Sequence, residues 1–343
     1  MPAAFQYLCW RVRSSKLSFS KVSMRASVVI AAHNEGDRLY KTVESILSTA
    51  PAADFEVIVV DDASADHSVQ ELSRRFPETR ILRNTERQGA SPSKDFGARN
   101  SRGEILVFLD AHSKPEAGAL EQLAADVERL EGYALVTPAV PALDTEKWES
   151  KVHQVGHGYR MTLEKLECGW IGLEEMVRRE EFYESPALIG CAVAMKRSTY
   201  EDLKGFDIHM FEWGVEDIDF GLKAWLMGGA ILHDPQALVG HRFRATFDNF
   251  SVSTENVLAN QLRMARKNFT DAVWEEWVAL CRARLPEALW TRTWDLFSRR
   301  RDSAEQEREY LMARRQRDER WYAERFQLPW PPAPRPAPPW NCE

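Results

Sequence analysis

No stretch of this chain approaches the ~18–20 continuous apolar residues needed to cross a bilayer; runs such as Ile105 to Leu109 are only strand-sized. The segment from Phe5 to Arg25 mixes Arg, Lys and Ser with single apolar residues and lacks the apolar core of a signal peptide. Cysteine is sparse and scattered. Cys9, Cys168, Cys191, Cys281 and Cys342 form no CxxC pair and are odd in number, which argues against a zinc cluster or a disulfide framework and for a reducing compartment. A cytoplasmic protein without a transmembrane segment is expected. Basic charge is not in excess either: 45 Lys+Arg stand against 52 Asp+Glu, a net charge of −7. Nucleic-acid binding usually leaves a basic imbalance, so none is expected. The glycine fingerprint of dinucleotide folds is missing after the first apolar run, where His33-Asn34-Glu35 stand instead; NAD binding is therefore disfavoured. No internal repeat is present.

What remains is a globular composition, 44% hydrophobic and 28% charged, with room for one large domain or two ordinary ones. Apolar runs at 26–32, 55–60, 81–84 and 105–109 alternate with helical patterns. Leu39, Val43, Ile46 and Leu47 mark the first helix by their spacing. Ser64 is the expected cap of the second, Val69 to Phe76, and Gly89 to Arg99 reads as a loop running into a third. This β-α-β-α-β-α-β order predicts an α/β, doubly wound, mostly parallel sheet. Further strands are expected from Ala134, over Leu188 to Met195 and from Ala230. A helix over Glu216 to Met227 ends at Gly228-Gly229, and 254–285 and 295–326 read as helical. Residues 144–184 show no clear period. The Arg- and Glu-rich last helix reads as a solvated face with i,i+4 pairs. Seven prolines in twelve residues from Pro329 read as an extended tail.

In an open α/β sheet, ligands gather at the carboxyl ends of the strands, and those ends carry polar residues here. Asp110-Ala111-His112 closes the fourth run. A carboxylate oxygen and an imidazole nitrogen suit a borderline divalent cation such as Mn2+, which could neutralise a diphosphate. A lone His after a strand is ordinarily a loop residue, but His241 completes a three-ligand set that leaves positions open. Arg244, three residues on, offers a planar fork to a phosphate or makes a surface ion pair. Asp61-Asp62 ends the second run: one carboxylate contacts a nucleoside, or both serve a turn and cap. His33 and Glu35 contact a ribose or cap a helix. Glu216-Asp217 sits at a helix N-terminus, where acidic residues complement the dipole; functionally, one carboxylate orients an acceptor hydroxyl or takes its proton. Trp213 stacks on a sugar or packs in the core.

Taken together, these residues resemble a metal-dependent nucleotide-sugar glycosyltransferase of the GT-A fold. The likeness is to the catalytic domain of polypeptide N-acetylgalactosaminyltransferases, over roughly residues 26–250. That family has Val-Val-Ile followed by His-Asn-Glu, matched by Val28 to Glu35, and Val-Asp-Asp, matched by Val60 to Asp62. Its Asp-x-His metal motif is matched by Asp110 and His112. Val-Gly-His-Val-Phe-Arg is matched by Val239 to Arg244, with Arg242 replacing Val, and Trp-Gly-Gly-Glu-Asn by Trp213 to Asp217. The resemblance implies a UDP-sugar donor and Mn2+ (or Mg2+) on Asp110, His112 and His241. It also implies Lys94 and Arg244 near the diphosphate, and Glu216 and Asp217 facing the anomeric carbon and acceptor. The departures are specific. Asp217 replaces Asn, as in inverting enzymes whose Asp is the base. Cys191-Ala192 replace Gly-Gly beside the donor sugar, Pro92 replaces an Arg, and the family's lectin domain has no counterpart within these residues.

The expected organisation is an N-terminal arm (1–25), a GT-A domain (26–250), a helical extension (251–328) and a Pro-rich tail (329–343). Within the GT-A domain, 26–112 is the nucleotide-binding half and 113–250 the acceptor and metal half. The expected activity is transfer of a hexose or N-acetylhexosamine from a UDP-sugar to an acceptor hydroxyl of a peptide, saccharide or small molecule. The C-terminal helices are candidates for acceptor binding or self-association. A sugar nucleotidyltransferase-like enzyme and a non-catalytic nucleotide-sugar-binding protein are the alternatives.

Overall fold

Four apolar runs lie side by side as the parallel half of one sheet. They belong to the alternating series β1 (Ala26–Ala32), α1 (Asp37–Thr49), β2 (Phe55–Asp61), α2 (Ser68–Arg75), β3 (Arg80–Arg83), α3 (Ala90–Arg99) and β4 (Ile105–Asp110), with strand order β3-β2-β1-β4. The structure is a computed structural model that describes residues 24–50, 54–162, 166–243 and 249–329. β1 and β2 are buried along almost their whole length, as expected of parallel strands covered on both faces. Register then decides where the polar ends emerge. Ala31 lies opposite Asp110 and Ala32 opposite Asp61, so the residues that follow β1, β2 and β4 share one edge.

The chain continues through β5 (Ser113–Pro115), α4 (Ala119–Arg129), β6 (Ala134–Asp144), β7 (Glu149–Gly156), β8 (Gly158–Thr162), β9 (Glu167–Ile171), β10 (Val177–Arg179) and β11 (Phe182–Glu184). β12 (Ala192–Lys196), α5 (Arg197–Asp202), α6 (Glu216–Leu226) and β13 (Ala230–His241) follow. The sheet extends from β4 as β12-β6-β13-β11-β10. β12 is antiparallel to both β4 and β6, and β13 is parallel to β6. β6 and β13 therefore run in the same direction as β1 to β4, and the sheet is mostly parallel, as the sequence predicts. β13 shifts register on β6 between Asp234 and Leu238, next to Pro235, which has no N–H to give a ladder. Its last residues then pair with β5, placing His241 opposite Ser113.

Three local expectations change. Ser64 does not cap α2: its Oγ accepts from Asn34 N, and the Asp66 carboxylate takes Ser68 N at the helix start. The strand expected over Leu188 to Met195 begins only at Ala192; before it, Gly190 N donates to Asp217 Oδ2 (3.2 Å) rather than to a neighbouring strand. The unperiodic stretch 144–184 contains strands such as β7, β8 and β10, whose residues are mostly exposed or half-buried and so show no apolar alternation.

The C-terminal part is five helices: α7 (Thr254–Asn268), α8 (Asp271–Arg284), α9 (Glu287–Ser298), α10 (Arg301–Arg314) and α11 (Glu319–Arg325). Pro286 separates α8 from α9, and α7 packs on α6, α9 and α10. Some of their charges are solvated pairs, such as Arg299–Asp295, but others are not. Lys267 is fully buried, with Nζ 2.6 Å from Asp207 Oδ2, 2.8 Å from Asp219 Oδ2 and 3.4 Å from Glu307 Oε2. Arg263 Nε also reaches Asp207 Oδ2 (2.6 Å). Burial works against the Lys267 charge, but Asp207, Asp219 and Glu307 together hold it protonated. This network fastens α7 and α10 to the segment that leads into α6. Among the described residues no helix is long and apolar enough to cross a membrane. The arm up to residue 23 and the tail from residue 330 lie outside the described residues.

Removing one member of a buried ion network leaves its partners uncompensated, at a cost of about 3–5 kcal/mol. Lys267→Met is therefore expected to lower the urea midpoint markedly, and Arg299→Ala, at an exposed pair, to leave it nearly unchanged. Equal midpoints for the two variants would contradict the role given to the network.

Candidate active site

The strand ends and the loop before α6 enclose a cleft of about 460 Å³. Its floor is the metal-ligand cluster. Asp110 terminates β4 and His112 precedes β5, while the β5–β13 pairing brings in His241 from far along the chain. Arg242 N continues that pairing by donating to His112 O (3.3 Å). One ligand atom from each of Asp110, His112 and His241 lies within 4.8 Å of the others, and His241 Nε2 is 3.3 Å from Asp110 Oδ2. With metal–ligand bonds of about 2.1 Å, ligand atoms around one ion stand roughly 3–4 Å apart, so the set fits a single divalent cation after a small contraction. The donor set, one carboxylate and two imidazoles, suits a borderline ion. Burial disfavours the Asp110 charge, but Lys94 and His241 outweigh it and hold the carboxyl well below the usual carboxylate range. It is ready to bind a cation at any physiological pH.

The second group of carboxylates comes from the first turn of α6. The chain enters this helix through a constrained turn in which Glu212, Gly214 and Val215 all have positive φ. For a β-branched residue such as Val215 this is a genuine outlier, of the kind that clusters at functional sites. Gly89, at φ 103°, lies so close to Glu212 that a Cβ there would come within 2.3 Å of its carbonyl oxygen. Gly190 likewise leaves room for the Asp217 carboxylate. The two acidic neighbours then diverge. Glu216 is buried and pairs with Lys94 Nζ (3.3 Å), which also donates to Gly190 O (3.2 Å) and lies 3.8 Å from Asp110 Oδ1. Asp217 is half-buried, lines the cleft, and accepts from Gly190 N and Ile218 N. Burial, and next the charge of Glu216, push its carboxyl up to about 7. Burial opposes the charge of Lys94, yet Glu216, Asp110 and Asp217 raise it above an ordinary lysine.

Most residues singled out in the sequence meet here. His33, Glu35, Asp62, Lys94, Asp110, His112, Trp213, Glu216, Asp217 and His241 all line the cleft. Asp62 is already engaged: its carboxylate takes Gln88 N and Gly89 N (2.8 Å each) and Asn84 Nδ2 (2.8 Å), so it shapes the loop that leads into α3. Asp61 is buried away from the cleft, with Ser64 N and Arg83 as its partners. Trp213 stands at the mouth, 43% exposed. Arg244 lies outside the described residues. Sequence reasoning missed Tyr159 and Trp170, whose rings are 4.2 Å apart, and Phe250, which carries Arg87 over its ring at 4.6 Å; all three line the cleft. Tyr159 and Trp170 lie in the unperiodic 144–184 stretch, and only their aromatic character could have flagged them.

The profile of the family described as "Glycosyl transferase family 2" matches residues 27–204. A second, described as "N-terminal domain of galactosyltransferase", matches residues 177–243. Polypeptide N-acetylgalactosaminyltransferase 3 of Taeniopygia guttata is 33% identical over 254 residues, which is 70% of this chain and 41% of that protein. Polypeptide N-acetylgalactosaminyltransferase 12 of Mus musculus is 30% identical over 304 residues, 84% of this chain and 50% of that protein. The chain thus spans about half or less of these curated relatives. Among solved structures, GalNAc-T7 with UDP, GalNAc and Mn2+ superposes with a TM-score of 0.66 at 21% identity, covering 88% of this chain and 57% of that one. S. aureus TarS 1-349 in complex with UDP-GlcNAc gives 0.51 at 13% identity, covering 90% and 93%. These likenesses establish the GT-A fold expected from the sequence. With a family profile extending over 27–204 of its 343 residues, more than half the chain, the protein belongs to glycosyl transferase family 2.

Proposed function

We propose that this chain is a metal-dependent glycosyltransferase that moves a hexose or N-acetylhexosamine from a UDP-sugar to an acceptor hydroxyl. The observation that carries the reading is one cleft holding both the Asp110–His112–His241 cluster and the half-free carboxyl of Asp217. Asp110, His112 and His241 would hold Mn2+ or Mg2+, which supplies charge neutralisation for a departing diphosphate. Arg244 is proposed, on its motif alone, to add a fork to the same phosphates. His33 and Asp62, at the ends of β1 and β2, mark the nucleoside end. Lys94 pairs with Glu216 and holds it in place. Trp213 offers an apolar face at the mouth, where an acceptor enters. A polypeptide, the acceptor in the relatives' names, is the first to test.

Asp217 is the residue we assign as general base. A base works best with a pKa near the working pH, and burial brings this carboxyl to about 7. Glu216 is the poorer candidate because Lys94 occupies it. A protein base that deprotonates the acceptor favours attack opposite the leaving group, hence inversion. A β-linked product from an α-linked donor, read from NMR coupling constants, is the expected outcome; an α-linked product would rule out the Asp217 base. His241→Ala is expected to abolish UDP release while leaving the circular dichroism spectrum unchanged.

The raised carboxyl also has a stability consequence. Folded Asp217 binds a proton more tightly than unfolded Asp, so the native state loses stability as pH rises from about 4 to about 7, and the penalty persists above that. Asp217→Asn removes the penalty. Its melting temperature is expected to exceed that of the wild type by a few degrees at pH 8, with the gap closing towards pH 4. A gap that widens at low pH would contradict the assignment.

A further inference from the structure

Glu35 is buried at the end of β1, and what its carboxylate meets are side chains from three parts of the chain. Oε1 lies 3.2 Å from His112 Nδ1, an ion-pair distance. The same oxygen accepts from Asn249 Nδ2 (3.0 Å), an amide that also donates to His33 O (2.8 Å). Oε2 takes Arg38 Nε (3.1 Å) from the first turn of α1. The surroundings are fixed as well: Asp66 Oδ2 accepts from Gly36 N (2.8 Å), and Thr42 Oγ1 on α1 donates to Ala111 O (3.1 Å), the carbonyl between Asp110 and His112. A contact to a nucleoside or a plain helix cap explains neither the choice of His112 nor the link to Asn249.

We propose that Glu35 is a positioning residue for the metal centre. It stands at ion-pair distance from His112 Nδ1, the place from which it would take that nitrogen's proton, fixing the ring's tautomer and leaving Nε2 for the cation. Through Asn249 it joins the metal cluster to the segment that follows β13. The inference rests on the metal reading proposed above. A carboxylate behind a metal-bound histidine raises ligand basicity, and its loss typically costs 10–100-fold in metal affinity.

The test is a titration of the full chain with Mn2+ in the presence of UDP, with free Mn2+ followed by electron paramagnetic resonance. Wild type, Glu35→Gln and His241→Ala are compared. Mn2+ affinity about 10–100-fold weaker in Glu35→Gln, at an unchanged melting temperature, is the expected result. Wild-type affinity in Glu35→Gln, with binding lost in His241→Ala, overturns the inference and leaves the metal reading standing. No Mn2+ binding by the wild type defeats the metal reading itself. A second measurement needs no variant and no metal: 15N NMR of the wild-type histidines is expected to show His112 as the Nδ1–H tautomer. The Nε2–H tautomer would overturn the proposal even where Glu35→Gln fails to fold.

Discussion

The pairing of β13 with β5 is the constraint on which the site depends. Asp110 and His112 are neighbours in sequence, but His241 lies 131 residues from Asp110. A register shift between Asp234 and Leu238 precedes the end of β13, which pairs with β5 while it still follows β6. A one-residue slip in a strand turns every side chain to the other face. The register therefore sets the ligand geometry as firmly as the residue types do. Pro235, which cannot join a ladder, sits in the irregularity that makes the shift.

Around that constraint the charges are arranged in an alternating series. Lys94 stands between Asp110 and Glu216, and Asp217 is left as the carboxyl without a cation of its own at hydrogen-bond distance. Lys94 and His241 hold Asp110 ionised, whereas burial and the charge of Glu216 push Asp217 up. Adjacent carboxyls with different partners, Glu216 paired with Lys94 and Asp217 accepting from two backbone N–H groups, are the physical basis for giving them different roles. The buried network of Lys267, Asp207 and Asp219 braces α6 from behind. It secures α6 through Asp219, two residues from Asp217, and thereby ties the C-terminal helices to the site.

The parallel half of the sheet and the polar strand ends were legible because period and burial coincide there: β1, β2 and β4 are continuous apolar runs ending in His33, Asp61 and Asp110. The cluster of Asp110, His112 and His241 was legible from the resemblance of Asp110-Ala111-His112 and Val239 to Arg244 to a known family's motifs. What could not be read were effects of tertiary packing. Asp61 and Asp62 look equivalent in sequence, yet one is buried against Arg83 and the other organises the loop at Gly89. The Arg- and Glu-rich stretch 295–326 suggested a solvated face, but Arg308 and Glu319 within it are buried against the end of α7 and the turn that follows it. Tyr159 and Trp170 face the cleft from a stretch that shows no clear period.

The most direct test of the account is UDP release from a panel of UDP-sugars with water as the only acceptor, in Mn2+ and in EDTA. Slow hydrolysis of one or more donors in Mn2+, abolished by EDTA, is predicted. Hydrolysis that persists in EDTA, or no hydrolysis of any donor together with no Mn2+-dependent UDP binding, would contradict the metal-dependent glycosyltransferase reading.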